Sequence, residues 1–254
     1  MEIGWCAPLD RAEQVKQAGY DYIEIPLAAF GLEDDQSLAV ARQRVAKAPL
    51  AIPVFNWFFP QDMRIVGPDI DARRIRGYLG RAAELMHATK AESAVLGSGW
   101  ARNVPEGWER SRAEAQILET LSWCADALAG TGVVVGVEAQ NRKETNIITS
   151  VDEAASYAEK INRPEIAVMA DFYHMDEEHE SFDALKRHAK WLVHIQLADT
   201  GRRNPGTGSY DYAGFFGTLK GCGYRGRISV ECMIEISEPE MERSSQFLRT
   251  FWPR

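Results

Sequence analysis

The chain has 254 residues, 45% of them hydrophobic and 26% charged, which is typical of a globular protein long enough to bury a substantial core. Its net charge of -8 argues against binding to nucleic acid or to an anionic membrane and would suit a cationic partner such as a metal ion. The sequence has no signal-peptide pattern and no apolar run near the ~20 residues of a membrane span, so we expect a soluble cytoplasmic protein. The four cysteines are far apart and form no CxxC pair, which predicts reduced thiols.

Short apolar or β-branched segments recur along the chain, each followed by a longer segment with helical periodicity. The strand candidates, in chain order, are EIGWC near Glu2, DYIEIPL from Asp21, AIPVFNWF from Ala51, ESAVLGS from Glu92, GVVVGVEAQ from Gly132, EIAVMAD from Glu165, WLVHIQLAD from Trp191 and RISVEC from Arg227. Of the helical segments, RAEQVKQAGY and AEAQILETLSWCADALAG end at glycines, and VDEAASYAEKI follows Ser150, a typical N-cap residue.

Eight such β-α pairs in about 250 residues predict an α/β fold, a single (β/α)8 TIM barrel, with a doubly wound open sheet as the alternative. No Pro/Gly/Ser-rich linker, low-complexity tract or change in charge balance divides the chain. We therefore expect one domain over residues 1–254.

The later strand candidates end in polar residues, at the barrel face where active sites of this fold are built. The fifth ends in Glu138, the sixth in Asp171, the seventh contains Gln196, and the eighth ends in Glu231. Converging carboxylates repel one another unless a cation neutralises them. Oxygen ligands suit Mg2+ or Mn2+, whereas the absence of paired cysteines and of several histidines argues against a dedicated zinc site. These four residues are therefore the predicted metal ligands.

Two histidines lie beside the predicted ligands. His174 follows Asp171 by three residues, where a neutral imidazole could hydrogen-bond a substrate hydroxyl or carbonyl. His194 shares a strand face with Gln196 and would either support the metal ligands or fill the barrel interior.

Three other segments could contribute to substrate binding. The loop DTGRRNPGTGSYDY carries Arg202 and Arg203, either of which could offer donors to a substrate oxygen. The GSG of LGSGWARNVPEG is a weak phosphate signal, because it lacks the Walker lysine and the GxGxxG spacing. Trp57 and Phe58 would either belong to the core or line a pocket for the apolar face of a sugar.

These motifs resemble those of the xylose-isomerase-like TIM barrels, in particular the sugar phosphate isomerase/epimerase group that includes ketose 3-epimerases and hydroxypyruvate isomerase. VEAQNRKETN resembles the strand-five signature, which implies that Glu138 is a metal ligand and that Glu144 contacts substrate. ADFYHM resembles the D-x-x-H signature, which implies that Asp171 is a ligand and that His174 contacts substrate.

The last third of the chain continues the resemblance. HIQLADTGRRNPGTG is similar to the strand-seven signature, and its R-x-P-G turn matches Arg202 to a substrate-binding arginine. Gln196 stands where ketose 3-epimerases usually have histidine and where the hydroxypyruvate isomerase branch has glutamine. SVEC supplies the last ligand, Glu231.

The resemblance implies a divalent-metal-dependent sugar isomerase or epimerase that acts on an α-hydroxycarbonyl substrate, a ketose or a hydroxypyruvate-like molecule, through a cis-enediolate. Glu138 and Glu231 would form the acid/base pair, while His174 and Arg202 would stabilise the developing oxyanion. Mn2+ is the expected cofactor, with Mg2+ or Co2+ as alternatives. A sugar or keto-sugar partner and a homo-oligomer, dimer or tetramer, are also expected.

Three other functions remain open. A metal-dependent lyase of the same fold, such as an inosose dehydratase or a 3-keto-glycoside eliminase, would begin with the same proton abstraction. A DNA-repair endonuclease of this fold would use three zinc ions and many histidines, whereas this chain has five histidines and a negative charge. A non-catalytic binding subunit would not require the complete ligand set.

Overall fold

Eight parallel strands close into a barrel in sequential order in the computed structural model, which describes residues 2–232 and 236–253. The strands are β1 (Ile3–Cys6), β2 (Tyr22–Pro26), β3 (Ala51–Asn56), β4 (Ser93–Leu96), β5 (Val134–Glu138), β6 (Ile166–Asp171), β7 (Leu192–Leu197) and β8 (Arg227–Val230). β1 pairs in parallel with both β2 and β8, which closes the sheet and excludes the open doubly wound alternative. The predicted (β/α)8 barrel is confirmed; residues 1, 233–235 and 254 of the predicted domain lie outside the described part.

Helices cover the outside of the barrel. Those in the described ranges are α1 (Ala12–Gln17), α2 (Asp35–Val45), α3 (Ala72–Thr89), α4 (Gly99–Arg102), α5 (Arg110–Leu128), α6 (Val151–Ile161), α7 (Phe172–Glu177), α8 (Asp183–Arg187), α9 (Tyr212–Gly221) and α10 (Glu238–Phe251). The Ser150 side chain accepts a hydrogen bond from the Glu153 backbone N–H at 3.1 Å, which confirms the predicted cap of α6. Among the described helices, none combines the length and apolarity needed to cross a membrane.

The main hydrophobic core lies between the strands and the helices, and a separate buried cluster belongs to the strands alone. That second cluster consists of Tyr22, Val54, Val95 and Met169. Side chains two residues apart on a strand share a face, so the next positions along these four strands form the following layer. Its members are Glu24, Asn56, Gly97 and Asp171. The barrel interior therefore changes from apolar to polar toward the carboxyl ends of the strands.

Candidate active site at the barrel mouth

The four predicted metal ligands are buried at the carboxyl ends of consecutive strands. Glu138, Asp171 and Gln196 lie at the ends of β5, β6 and β7, and Glu231 directly follows β8. Asp171 and Gln196 are paired in the β6–β7 register, so their side chains leave neighbouring backbones at the same height.

Three of the four predicted ligands each have a buried oxygen atom that accepts no hydrogen bond from any residue that the structure describes. These atoms are Glu138 Oε1, Asp171 Oδ2 and Gln196 Oε1. An unpaired buried acceptor is costly, and a cation surrounded by the three would satisfy all of them. These residues therefore fit a divalent metal ion with oxygen ligands.

The raised pKa values of Glu138 and Asp171 also indicate that a positive charge would stabilise this site. Burial, followed by repulsion from Glu231 and Asp171, raises the pKa of Glu138 well above its usual range. Burial likewise raises the pKa of Asp171 to about 7, although the charge of Arg202 opposes the rise. Both carboxylates would be stabilised in their charged forms by a bound cation.

His174 completes a buried group with Glu138 and Asp171 whose potential ligand atoms all lie within 4.8 Å of one another. Its Nδ1 accepts a hydrogen bond from the Asn141 backbone N–H at 3.2 Å and lies 2.9 Å from the Asn141 side-chain amide nitrogen. Burial lowers the pKa of His174 to about 2, so the ring is neutral and its proton sits on Nε2.

This tautomer determines whether His174 Nε2 can donate a hydrogen bond or ligate a metal. Its Nε2 lies 3.6 Å from Glu138 Oε1 and 3.8 Å from Asp171 Oδ2. A protonated ring nitrogen donates a hydrogen bond and cannot ligate a metal at the same time. The geometry therefore favours His174 as a hydrogen-bond donor to a bound molecule over His174 as a metal ligand.

Glu231 differs from Glu138 and Asp171 because both of its oxygens have partners. Its Oε2 accepts from Arg202 Nη2 at 2.6 Å, and its Oε1 accepts from Asn56 Nδ2 at 3.2 Å. The other nitrogen of the fork, Nη1, donates to Glu144 Oε1 at 3.0 Å. Arg203 instead donates to the Thr200 carbonyl oxygen, so the structure places Arg202, and not Arg203, at the mouth.

Arg202 remains charged in this setting. Burial acts to lower the pKa of its guanidinium, but the carboxylates of Glu231, Asp171 and Glu144 outweigh burial and raise that pKa. The guanidinium carbon also lies 4.9 Å from the centre of the Tyr173 ring, a favourable contact between a cation and an aromatic face.

The position of Glu138 depends on residues that sequence reasoning missed. Arg102 is completely buried and donates to the backbone oxygen of Glu138 at 2.8 Å and to that of Leu96 at 3.1 Å. Gln140 Nε2 donates to Glu138 Oε2 at 3.3 Å. A Cβ atom on Gly97 would lie 1.4 Å from that same oxygen. The first glycine of the GSG segment thus leaves room for a carboxylate, a role that no phosphate motif signals.

A cavity of about 430 Å³, open-mouth space included, lies above these side chains. Trp57 and Trp100, with ring centres 5.9 Å apart, form its aromatic side, and Asn56 and Glu144 belong to its polar side. Trp57 is 40% exposed, and its φ of 43° is in the left-handed region, a strained conformation that is common at binding sites.

Phe58 has a different environment. Its side chain is buried in the hydrophobic core, with its ring 5.0 Å from that of Phe59. Among the described residues that line the cavity, Trp57 is present and Phe58 is not. The structure thus favours the core alternative for Phe58 and the pocket alternative for Trp57.

Comparisons with known proteins agree with this architecture. The sequence model of the xylose isomerase-like TIM barrel family matches residues 12–251. A ketose 3-epimerase of Arthrobacter globiformis is 25% identical over 247 residues, which cover 94% of this chain and 83% of the relative. A 3-dehydro-D-guloside 4-epimerase of Escherichia coli K12 is 26% identical over 245 residues, 91% of this chain and 89% of the relative. The crystal structure of a D-psicose 3-epimerase in the presence of D-fructose has a TM-score of 0.85 at 17% identity, covering 99% of both chains, which shows a shared fold.

Proposed function

Because this chain belongs to the xylose isomerase-like TIM barrel family, we propose that it is a divalent-metal-dependent sugar epimerase or isomerase acting on an α-hydroxycarbonyl substrate. The class isomerase agrees with the names of its relatives. The observation that carries the proposal is the set of three buried oxygens, on Glu138, Asp171 and Gln196, that lack partners among the described residues.

Glu138, Asp171, Gln196 and Glu231 would hold the metal ion. An all-oxygen ligand set favours a hard divalent cation, so Mn2+ is the first candidate and Mg2+ or Co2+ the alternatives. The bound ion would polarise the ketone of the substrate and acidify the neighbouring C–H bond.

The acidic residues of the site would move the proton. One of Glu138 and Glu231 would remove it to give a cis-enediolate, and the other would return it. The proton returns to the opposite face of the same carbon in an epimerisation or, with a proton also moving between the two oxygens, to the adjacent carbon in an isomerisation. Burial raises the pKa of both carboxyls in the metal-free protein, and a bound cation would oppose that rise. Arg202 and the Nε2–H of His174 would donate hydrogen bonds to the developing oxyanion.

The remaining groups at the mouth would bind the substrate. Glu144 is held toward the cavity by Arg202 and could accept hydrogen bonds from sugar hydroxyls. Trp57 and Trp100 offer an apolar face for the sugar ring or chain and would exclude water from the reaction.

The test is a set of substrates read by solvent-deuterium incorporation next to the carbonyl. Ketoses, inososes and 3-keto-glycosides are incubated in deuterated buffer with Mn2+, and exchange without elimination supports an epimerase or isomerase. Glu138→Gln and Glu231→Gln should abolish exchange while circular dichroism remains that of the folded barrel. Glu114→Gln, which alters a surface ion pair with Arg110, is the matched control and should remain active. Elimination products would assign the chain to the lyases, and full exchange in Glu138→Gln would remove that residue from the mechanism.

A further inference from the structure

Glu24 is a fully buried carboxylate in β2, in the interior layer that also contains Asp171. Its Oε1 accepts a hydrogen bond from Gln196 Nε2 at 2.6 Å, and its Oε2 lies 2.8 Å from His194 Nε2. Both partners are also fully buried. Burying a charged group is costly, so a carboxylate at this position must be compensated by the hydrogen bonds that it accepts.

The contact with Gln196 decides which end of that amide faces the site. A glutamine can present either its carbonyl oxygen or its NH2 group, and the two are similar in shape. A carboxylate oxygen accepts hydrogen bonds only, so the atom 2.6 Å from it must be the NH2 group. The same nitrogen lies 3.7 Å from Cys6 Sγ, which gives its second N–H an acceptor. The carbonyl oxygen is thereby directed away from Glu24, and it is one of the three unpaired oxygens on the predicted ligands.

His194 keeps the carboxylate in that orientation. Its Nε2 is within hydrogen-bond distance of the second oxygen of Glu24, so it carries the proton and donates. With one oxygen held by His194 and the other by Gln196, the carboxylate is constrained at both ends. Because its partners lie 170 and 172 residues away in sequence, the arrangement joins β2 to β7 across the barrel interior.

We propose that Glu24, held by His194, is a positioning residue that fixes the amide of Gln196 with its oxygen toward the metal. In this role Glu24 makes the ligand set all-oxygen and favours hard divalent cations over Zn2+. The inference rests on the proposed function in one respect, that a divalent cation binds beside Glu138 and Asp171. Without the carboxylate, the amide of Gln196 could turn its NH2 group toward the cation and lose a ligand.

The first experiment measures Mn2+ affinity by titration calorimetry on the metal-free full chain. Glu24→Gln preserves the size of the side chain, and its amide can pair with Gln196 in either orientation of the Gln196 amide. Mn2+ affinity should therefore fall about 10- to 100-fold, as is typical when a residue that orients a metal ligand is lost. Tyr22→Phe is the matched control. It removes a buried hydroxyl that bonds Ser229 Oγ at 2.9 Å and makes no hydrogen bond to Glu24 or Gln196, so affinity should be unchanged. Thermal unfolding of both variants shows that each is folded.

A second pair of variants separates orientation from a general effect of charge. Gln196→His supplies a nitrogen ligand and should raise Zn2+ affinity relative to Mn2+. In the Gln196→His background, the imidazole N–H can donate a hydrogen bond to the side-chain carbonyl that Glu24→Gln introduces. Glu24→Gln should therefore lower Mn2+ affinity less in that background than in the wild-type protein. If Glu24→Gln does not fold, His194→Gln, which frees one end of the carboxylate, should also lower Mn2+ affinity.

Each result leads to a different conclusion. Wild-type Mn2+ affinity in Glu24→Gln, or equal losses in both backgrounds, would overturn the positioning role and leave the proposed function intact. A wild-type protein that binds no Mn2+ would overturn the proposed function, and the positioning role with it.

Discussion

Gly97→Ala tests the geometry of the site without altering any group that takes part in the chemistry. The new Cβ would lie 1.4 Å from Glu138 Oε2 and 2.7 Å from Glu138 Cδ, whereas ordinary contact begins near 3.4 Å. The carboxylate would therefore have to retreat by about 2 Å. Its backbone oxygen is held by Arg102, so the main chain cannot move with it easily. Since a 1 Å misplacement can cost about 10²-fold in rate, we expect kcat/KM to fall at least that far, about 2.7 kcal/mol in the barrier.

The assay combines turnover with stability. Deuterium exchange into a ketose with saturating Mn2+ gives the rate, and urea unfolding should show a loss of about 1–3 kcal/mol from overpacking. Gly80→Ala is the matched control, because Gly80 lies within α3 and a Cβ there meets no atom of the described residues within 4 Å. That variant should keep full activity and gain about 0.5–1 kcal/mol of stability. Wild-type kcat/KM in Gly97→Ala would refute the placement of Glu138 at the reacting centre.

Two further predictions concern the metal. Asp171→Asn should abolish measurable Mn2+ binding, whereas His174→Ala should retain it and lose about 10²-fold or more in turnover; equal losses of Mn2+ in calorimetry would make His174 a ligand. Because burial raises the pKa of Asp171 to about 7, Mn2+ must displace a proton below that pH, so affinity should increase as pH rises toward about 7. In the metal-free protein, the Asp171 carboxyl binds its proton more tightly in the folded state than in the unfolded state. The free energy of unfolding measured in urea should therefore fall as pH rises from about 4 to about 7.

The barrel and the strand-end acids could be predicted because both depend on local patterns. Apolar segments alternating with helical ones predict the eight strands, and a polar residue at the end of an apolar strand, such as Asp171, marks the mouth of a barrel. The cap at Ser150 is equally local, since it depends on a backbone N–H three residues away.

The residues that orient the site could not be predicted, because the side chains that they contact lie on other strands, far away in sequence. Glu24 sits within the apolar segment YIEIP, and both of its partners are in β7. Gly97 is required by a side chain on the neighbouring strand, which a single sequence does not reveal. Trp57 and Phe58 could not be separated because the left-handed backbone at Trp57 ends the alternation of faces that holds along β3.

The charges around the cavity predict which substrates the site accepts. The carboxylates of Glu138, Glu144 and Glu231 line the cavity, and that of Asp171 is buried beside Glu138. Arg202 is the one cationic side chain among the described residues of the lining. Its fork is already paired with Glu231 and Glu144. With a divalent cation bound, the four carboxylates would still outnumber the three positive charges of the ion and Arg202. A substrate phosphate or carboxylate would add to that negative excess with no unpaired cationic side chain in reach, so a neutral ketose should be preferred. We expect kcat/KM for neutral ketoses to exceed that for their phosphates and for hydroxypyruvate by at least about 10²-fold, since like-charge contact costs several kcal/mol. Equal or faster turnover of an anionic substrate would mean that Arg202 leaves its two carboxylates when substrate binds.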